Sequence, residues 1–295
     1  MCQHLGVTRA AYYKWLKRDI PEAERENEII AQLICEYDDR FNHILGYRRM
    51  TDWINRLNGT NYSRNRIHRI TKELHIHSVI RRKKKKYVNA TPEAVAENAL
   101  SRDFNAEHPN QKWATDVTEF KWYEGPVVHK LYLSAILDLY DRSIVAYVVS
   151  ARNDNKLVFD TFEQAIQANP DAHPLFHSDR GFQYTSKVFQ FALSQQAMAQ
   201  SMSRVGHCID NCPAEGLWGI VKAEMYYLTK FNNEVELRTA IDQYIHFYNY
   251  ERFQERFGTR TPMVVRSAAL VAERPMQFPI AQNKRILQYK AKFAA

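Results

Sequence analysis

The sequence predicts a two-part protein: an all-helical, basic N-terminal region followed by an α/β body built on a mixed sheet. Three observations predict it. Residues 1–90 hold 19 Lys+Arg against 10 Asp+Glu, a net of +9, whereas the rest of the chain sums to −1. Apolar residues recur at helical spacing as far as Leu74, then in β-branched and aromatic runs after Gln111. Between the two lies a polar, irregular stretch with Pro92 and Pro109. The 295 residues therefore divide into a helical region at 1–86, a linker at 87–110, a sheet body at 111–265 and a tail at 266–295.

The helical region is read from its caps and stripes. Thr8 is a plausible N-cap for a short helix carrying Tyr12, Trp15 and Leu16. Glu22 to Tyr37 places Ile29, Ile30, Leu33, Ile34 and Tyr37 on one stripe, and Gly46 to Leu57 repeats the pattern with Met50, Trp53, Ile54 and Leu57. Ser63 then caps a helix with Ile67, Ile70 and Leu74 inward and Arg64, Arg66, Arg69 and Lys72 outward. A helix, a turn and a basic helix form the helix-turn-helix layout, whose second helix enters the DNA major groove. Arg81, Arg82, Lys83, Lys84, Lys85 and Lys86 follow without a break. Such a run repels itself and binds phosphates by releasing counterions.

The body alternates strands and helices. Runs within Trp113–Trp122 and His129–Ser150 are rich in β-branched and aromatic residues, with turns at Glu124–Pro126 and Asp138–Arg142. Lys156–Ala168 is helical, Pro174–Ser178 a short strand, Lys187–Gln196 a helix and Ala199–Ser203 a strand. Pro213 opens a long helix, and Asn233–Tyr250 forms another with an aromatic face. Asp138 and Asp141 read as surface turn acids, and Asp210 as an N-cap, a task Asn211 could share.

Three acids stand where these elements meet: Asp116 in the first strand, Asp179 just past the fourth, and Glu215 one turn into the helix from Pro213. In-line displacement at phosphorus needs an activated attacking oxygen and a stabilised leaving one, and two Mg²⁺ ions about 3.5–4 Å apart supply both. Mg²⁺ takes hard oxygen ligands and keeps part of its water shell, so three carboxylates suffice, with Mn²⁺ as the alternative ion. Glu119, three residues from Asp116, alternates to the other face of the strand. His177 reads as a packing or supporting group rather than a ligand. His207, Cys208 and Cys212 lack the second ligand pair that a zinc site needs. Tyr184, Tyr248 and Tyr250 each read equally well as core or as DNA-cleft aromatics.

The strings Trp113-Ala-Thr-Asp116-Val-Thr118, His177-Ser-Asp-Arg-Gly-Phe-Gln-Tyr184 and Asp210-Asn-Cys-Pro-Ala-Glu215, with 35 residues between Asp179 and Glu215, resemble the second-reading-frame transposases of the IS-three family of insertion sequences. The resemblance spans most of the chain, through Tyr248–Arg252 and Thr261-Pro262. It implies an RNase H-like, integrase-type catalytic core and DDE-type chemistry at Asp116, Asp179 and Glu215: metal-dependent cleavage and strand transfer at element ends. Lys222, about two helical turns beyond Glu215 and on the same face, matches a basic residue that contacts element-end DNA in that family. The resemblance also implies DNA partners (element ends and target), a homo-oligomer on DNA, and synthesis as a fusion with an upstream reading-frame product. Cys212 and Gly216 stand where alanine and serine are more usual, and Phe253-Gln-Glu-Arg256 replaces a proline-containing version.

The bulk properties agree. Hydrophobic residues at 45% and charged residues at 25% are ordinary for a soluble globular chain. No apolar run reaches the roughly 18 residues of a membrane span, and the N-terminus lacks an apolar signal core. Four cysteines are too few and too scattered for a disulfide framework, so a cytoplasmic, nucleoid-associated protein is expected. A pure DNA-binding regulator has no use for the acid trio, and a simple nuclease has none for the basic helical arm.

Overall fold

The computed structural model describes residues 2, 6–80, 98–101, 103–204 and 208–280, which fall into two compact units, one on each side of the Ile80–Arg81 junction. The first unit is helical: α1 (Arg9–Leu16), α2 (Glu22–Arg40), α3 (Tyr47–Asn58) and α4 (Arg64–Glu73). The predicted caps are in place, since Thr8 accepts from the Ala11 N–H and Ser63 from the Arg66 N–H. Helices α2, α3 and α4 pack together over Ile30, Ile34, Met50, Trp53, Ile54, Ile67 and Ile70, all buried. Burying each of these side chains contributes about 1.5–3 kcal/mol. The α3–α4 turn leaves the helix through Gly59, whose φ of +63° suits glycine. Asn55 then closes it, accepting from the Tyr62 N–H (2.7 Å) and donating to the Tyr62 carbonyl (3.0 Å). Helix α1 buries no residue, and Tyr13, Trp15 and Leu16 are exposed.

The second unit is a five-stranded sheet in the order β3-β2-β1-β4-β5. Strands β1 (Lys112–Glu124), β2 (Val127–Asp138) and β3 (Ile144–Ser150) form an antiparallel meander, and β4 (Leu175–Ser178) and β5 (Gln200–Met202) join it in parallel. Helices α5 (Asn155–Ala168) and α6 (Lys187–Gln195) cover one face. Helices α7 (Cys212–Glu224) and α8 (Glu234–His246) cover the other. Strand alternation sorts the side chains between the two cores. Trp113 and Ile136 join Val158, Phe162, Phe176 and Phe189. Ala114, Phe120, Leu131, Leu133 and Leu137 join Leu217, Val221, Leu237 and Ile241. Asp116 shares the parity of Ala114 and Phe120 and so faces the α7 side.

Tertiary packing corrects four readings. Part of the assigned linker joins the sheet unit: Leu100 is buried in the α7–α8 core, and its N–H donates to Ser201 Oγ at 3.0 Å. The assigned tail begins inside α9 (Pro262–Val271), and Phe278 still packs on Tyr140 and Phe257. Asp138 and Asp141 are not surface turn acids. Both are fully buried and share the Arg266 guanidinium at 3.0 and 2.9 Å. Arg266 also donates to Asn110 and Asn169, so one side chain of α9 joins four polar groups distant in sequence. Nor is Asp210 an N-cap. It is buried and accepts from the Arg204 guanidinium, the Arg204 N–H and the Asn98 amide. In each case the decisive partner lies far along the chain or on another element, where local pattern cannot see it.

Among the described residues no helix is long and apolar enough to cross a membrane. The basic run Arg81–Lys86 lies outside the described residues.

Candidate active site

The parallel register of β1 and β4 sets the first two acids side by side. Ala114 pairs with His177, and each stands two residues before an acid, Asp116 and Asp179 respectively. Adjacent strands lie about 4.8 Å apart, so the topology brings the two carboxyl-bearing positions to one place on the sheet. Strand β4 ends at Ser178, and the chain turns at once: Asp179 Oδ1 accepts the Gly181 N–H at 2.9 Å. A Cβ on Gly181 would stand 3.1 Å from that same oxygen and 2.9 Å from Gln183 Oε1, so a larger residue here would displace the Gln183 side chain and crowd Asp179.

Helix α7 brings the third acid. Pro213 and Glu215 lie in its first turn, with Glu215 half-buried where the positive end of the helix favours a carboxylate. One turn on, Trp218 Nε1 donates to Asp116 Oδ2 at 3.0 Å. Asp116 Oδ1 accepts the Val117 N–H at 2.8 Å. Beneath, Asn211 donates to the Thr115 carbonyl at 3.1 Å, and Thr115 Oγ1 lies 3.1 Å from the buried Tyr184 hydroxyl. The far end of α7 is held by Glu224, which accepts from Arg252 at 2.7 and 2.9 Å and from Tyr244 at 2.8 Å.

Burial pushes the Asp116 carboxyl up to about 7, and the charge of Asp179, with a lesser part from Glu215, adds to the shift. Burial also raises Asp179. Lys222 is a nearby cation. Its ammonium lies over the Phe120 ring, 5.4 Å from the centroid, and its pKa is lowered by burial although Asp116 and Glu119 oppose that shift. His177 is buried with Nδ1 2.9 Å from Ser201 Oγ, and burial takes its pKa down to about 4. Its Nε2 lies 3.3 Å from Ser203 Oγ, so both ring nitrogens have a serine partner.

Three hard carboxylates on rigid elements suit a divalent cation, whose charge would offset the burial and the neighbouring carboxylates that raise Asp116. Among the described residues, the His/Cys/Asp/Glu groups with three ligand atoms within 4.8 Å of one another reduce to Asp38, Asp39 and His43 in the helical unit. There Asp38 and His43 form a 2.6 Å ion pair that raises the histidine pKa, which accounts for the cluster without a metal. His207, the histidine of the discounted zinc reading, lies outside the described residues, and Cys212 is an exposed free thiol.

The basic helix is partly spoken for. Arg66 is half-buried and staples α4 to α2, donating to Glu26 (2.6 Å), Asn27 (2.9 Å) and the Ala23 carbonyl (3.1 Å). Arg64 stands 3.6 Å from Asp52 and Arg69 3.9 Å from Glu73, while Lys72 is exposed. Local sequence reasoning placed Arg66 outward because its partners sit about forty residues upstream. It also passed over Trp218, although the spacing of three from Glu215 puts both on one helical face. Tyr184 and Tyr248 prove to be core residues, and Tyr250 is exposed.

The integrase core domain family matches at residues 106–208, a second integrase core domain model at 215–270, and an HTH-like domain at 24–84. The putative transposase InsK for insertion sequence element IS150 of Escherichia coli is 37% identical over 88% of this chain and 90% of its own length. A 31 kDa protein of insertion element IS600 from Shigella sonnei is 34% identical over 90% of this chain and 97% of its own. Transposase InsF for insertion sequence IS3A of Escherichia coli is 28% identical over 89% of this chain and 91% of its own. Among solved structures, the catalytic core of HTLV-2 integrase in complex with magnesium is 21% identical over 53% of this chain and 96% of that chain, with a TM-score of 0.43.

Proposed function

The chain belongs to the insertion-sequence transposases of the IS-three family, DDE-type polynucleotidyl transferases of DNA transposition, and from that premise we propose that Asp116, Asp179 and Glu215 are its metal-binding catalytic triad. The observation that carries the assignment is the convergence of β1, β4 and α7. The register sets Asp179 beside Asp116, and Trp218 of the Glu215 helix bonds to Asp116.

The enzyme depends on a divalent metal, and we assign the three carboxylates as ligands of two Mg²⁺ ions, with Mn²⁺ as a substitute. When bound, the ions supply the charge that lowers the barrier to in-line attack and offsets the departing oxygen. The residues of the chain do the positioning. Trp218 and the Val117 N–H hold both oxygens of Asp116, and the Gly181 N–H fixes Asp179. Glu224 and Arg252 brace the helix that carries Glu215. Lys222, on the same face of α7, adds a cation suited to the phosphate of an element end.

The same chemistry cuts a strand when water attacks and joins strands when a DNA 3′-hydroxyl does. Selection of joining requires DNA ends held beside the target. We assign that holding to Arg64, Arg69 and Lys72 of the HTH-like region, to Arg81–Lys86 and to Lys222. Further expectations are assembly of several copies on DNA and synthesis as a fusion with an upstream reading frame. Incubation of the full chain with labelled element ends, target DNA and Mg²⁺ tests the assignment. Wild type should give cut and joined products, Glu215→Gln neither, and Lys222→Ala should lose joining and end binding more than metal binding. Hydrolysis products alone, under every condition, would favour a nuclease.

A further inference from the structure

The turn that follows Asp179 inverts the usual sorting of side chains. Gln183 and Tyr184 are buried, whereas Phe182 between Gly181 and Gln183 is 58% exposed. A single exposed apolar residue is ordinary on a protein surface. An exposed aromatic beside a buried glutamine, three residues from a catalytic acid, is not explained by packing.

The turn is also built to be rigid. The Gly181 N–H is bonded to Asp179 and the Gly181 carbonyl accepts the N–H groups of Tyr184 and Thr185 at 3.0 and 3.2 Å. Thr185 Oγ1 donates to the Phe182 carbonyl at 3.2 Å, Ser186 Oγ to the Gln183 carbonyl at 2.9 Å, and Gln183 to Asn153 at 2.6 Å. The chain thus fixes the Phe182 backbone relative to the Asp179 carboxylate while leaving the ring to solvent. Just beyond it, α6 begins with exposed Lys187 and a helix N-terminus, a setting favourable to a neighbouring phosphate.

We propose that Phe182 is a DNA-contact residue whose ring stacks on a nucleobase next to the phosphate held at the three acids. The inference rests on the assignment of those acids. Stacking asks only for the flat face of a base, so the same chemistry serves an element end and a target strand.

The full chain, with labelled element ends, a supercoiled target plasmid and Mg²⁺, is compared as wild type, Phe182→Ala and Phe182→Trp. Cutting and joining rates are measured, and the junctions are sequenced. Loss of a stacked base should slow one step roughly tenfold in the alanine variant, and tryptophan should restore it. If target DNA is the partner, base frequencies flanking the junctions change. If the element end is the partner, tolerance for substitution of its terminal bases changes instead. Unchanged rates and junctions in Phe182→Ala would overturn the inference, and so would equal loss in both variants, which signals a merely structural role. A wild type that neither cuts nor joins would overturn the three-acid assignment and this inference with it, whereas an active wild type leaves Phe182 to be judged alone.

Discussion

Trp218 Nε1 lies 3.0 Å from Asp116 Oδ2, a bond that ties the helix bearing Glu215 to the strand bearing Asp116. Trp218 stands one turn after Glu215 and is almost fully buried, so its indole acts as a spacer with a donor at its tip. Replacing it with phenylalanine keeps most of the apolar contact and removes the donor. A hydrogen bond to a charged group contributes about 1.5–3 kcal/mol. Trp218→Phe should therefore lower the turnover rate by roughly tenfold or more, while the chain remains folded. Unchanged turnover at saturating metal would show that the bond does not position Asp116.

Asp116 also makes stability depend on pH. Its folded pKa, about 7, lies above the ordinary value, so the fold binds this proton more tightly than the unfolded chain does. That contribution is fully present below the ordinary carboxylate pKa and is lost as pH rises through about 7. In EDTA, Asp116→Asn should melt higher than wild type at pH 8 and nearly level with it at pH 4. Added Mg²⁺ should raise the wild-type melting temperature at pH 8 more than that of the variant. An equal rise in both would argue against Asp116 as a ligand.

Arg266 is shared by two buried carboxylates that have no access to water. Removing one partner of a buried ion pair costs about 3–5 kcal/mol because the other charge stays behind. Arg266→Ala should lower the urea midpoint of the sheet unit by an amount of that order. The double change Asp141→Asn with Arg266→Ala should recover part of the loss. Absence of coupling in the double-mutant cycle would contradict a shared site.

The basic helix separates into structural and DNA-facing residues. Lys72→Ala should reduce the slope of log K for DNA against log salt by about 0.9, the value for one phosphate contact. Arg66→Ala should instead lower the melting temperature of the helical unit, since its guanidinium bonds Glu26, Asn27 and the Ala23 carbonyl. Titration of full-length variants at several salt concentrations, beside thermal melts, distinguishes the two. An equal salt slope for Lys72→Ala and wild type would remove α4 from the DNA contacts.

By itself the sequence determined the order and type of nearly every element, because hydrophobic period, caps and turn residues are local properties of the chain. It also singled out Asp116, Asp179 and Glu215, since their strings and the spacing of 35 are one-dimensional. Only the tertiary structure decided how those acids are held: the β1–β4 register, the Trp218 indole on Asp116 and the Glu224–Arg252 brace. It likewise turned Asp138 and Asp141 from surface acids, and Asp210 from an N-cap, into buried anchors, drew Leu100 into the core and took Arg66 from the outer face. The physical reason is common to all of them. A charged residue has the same local pattern whether water or a guanidinium solvates it, and in a buried site the partner is delivered by folding from elsewhere in the chain.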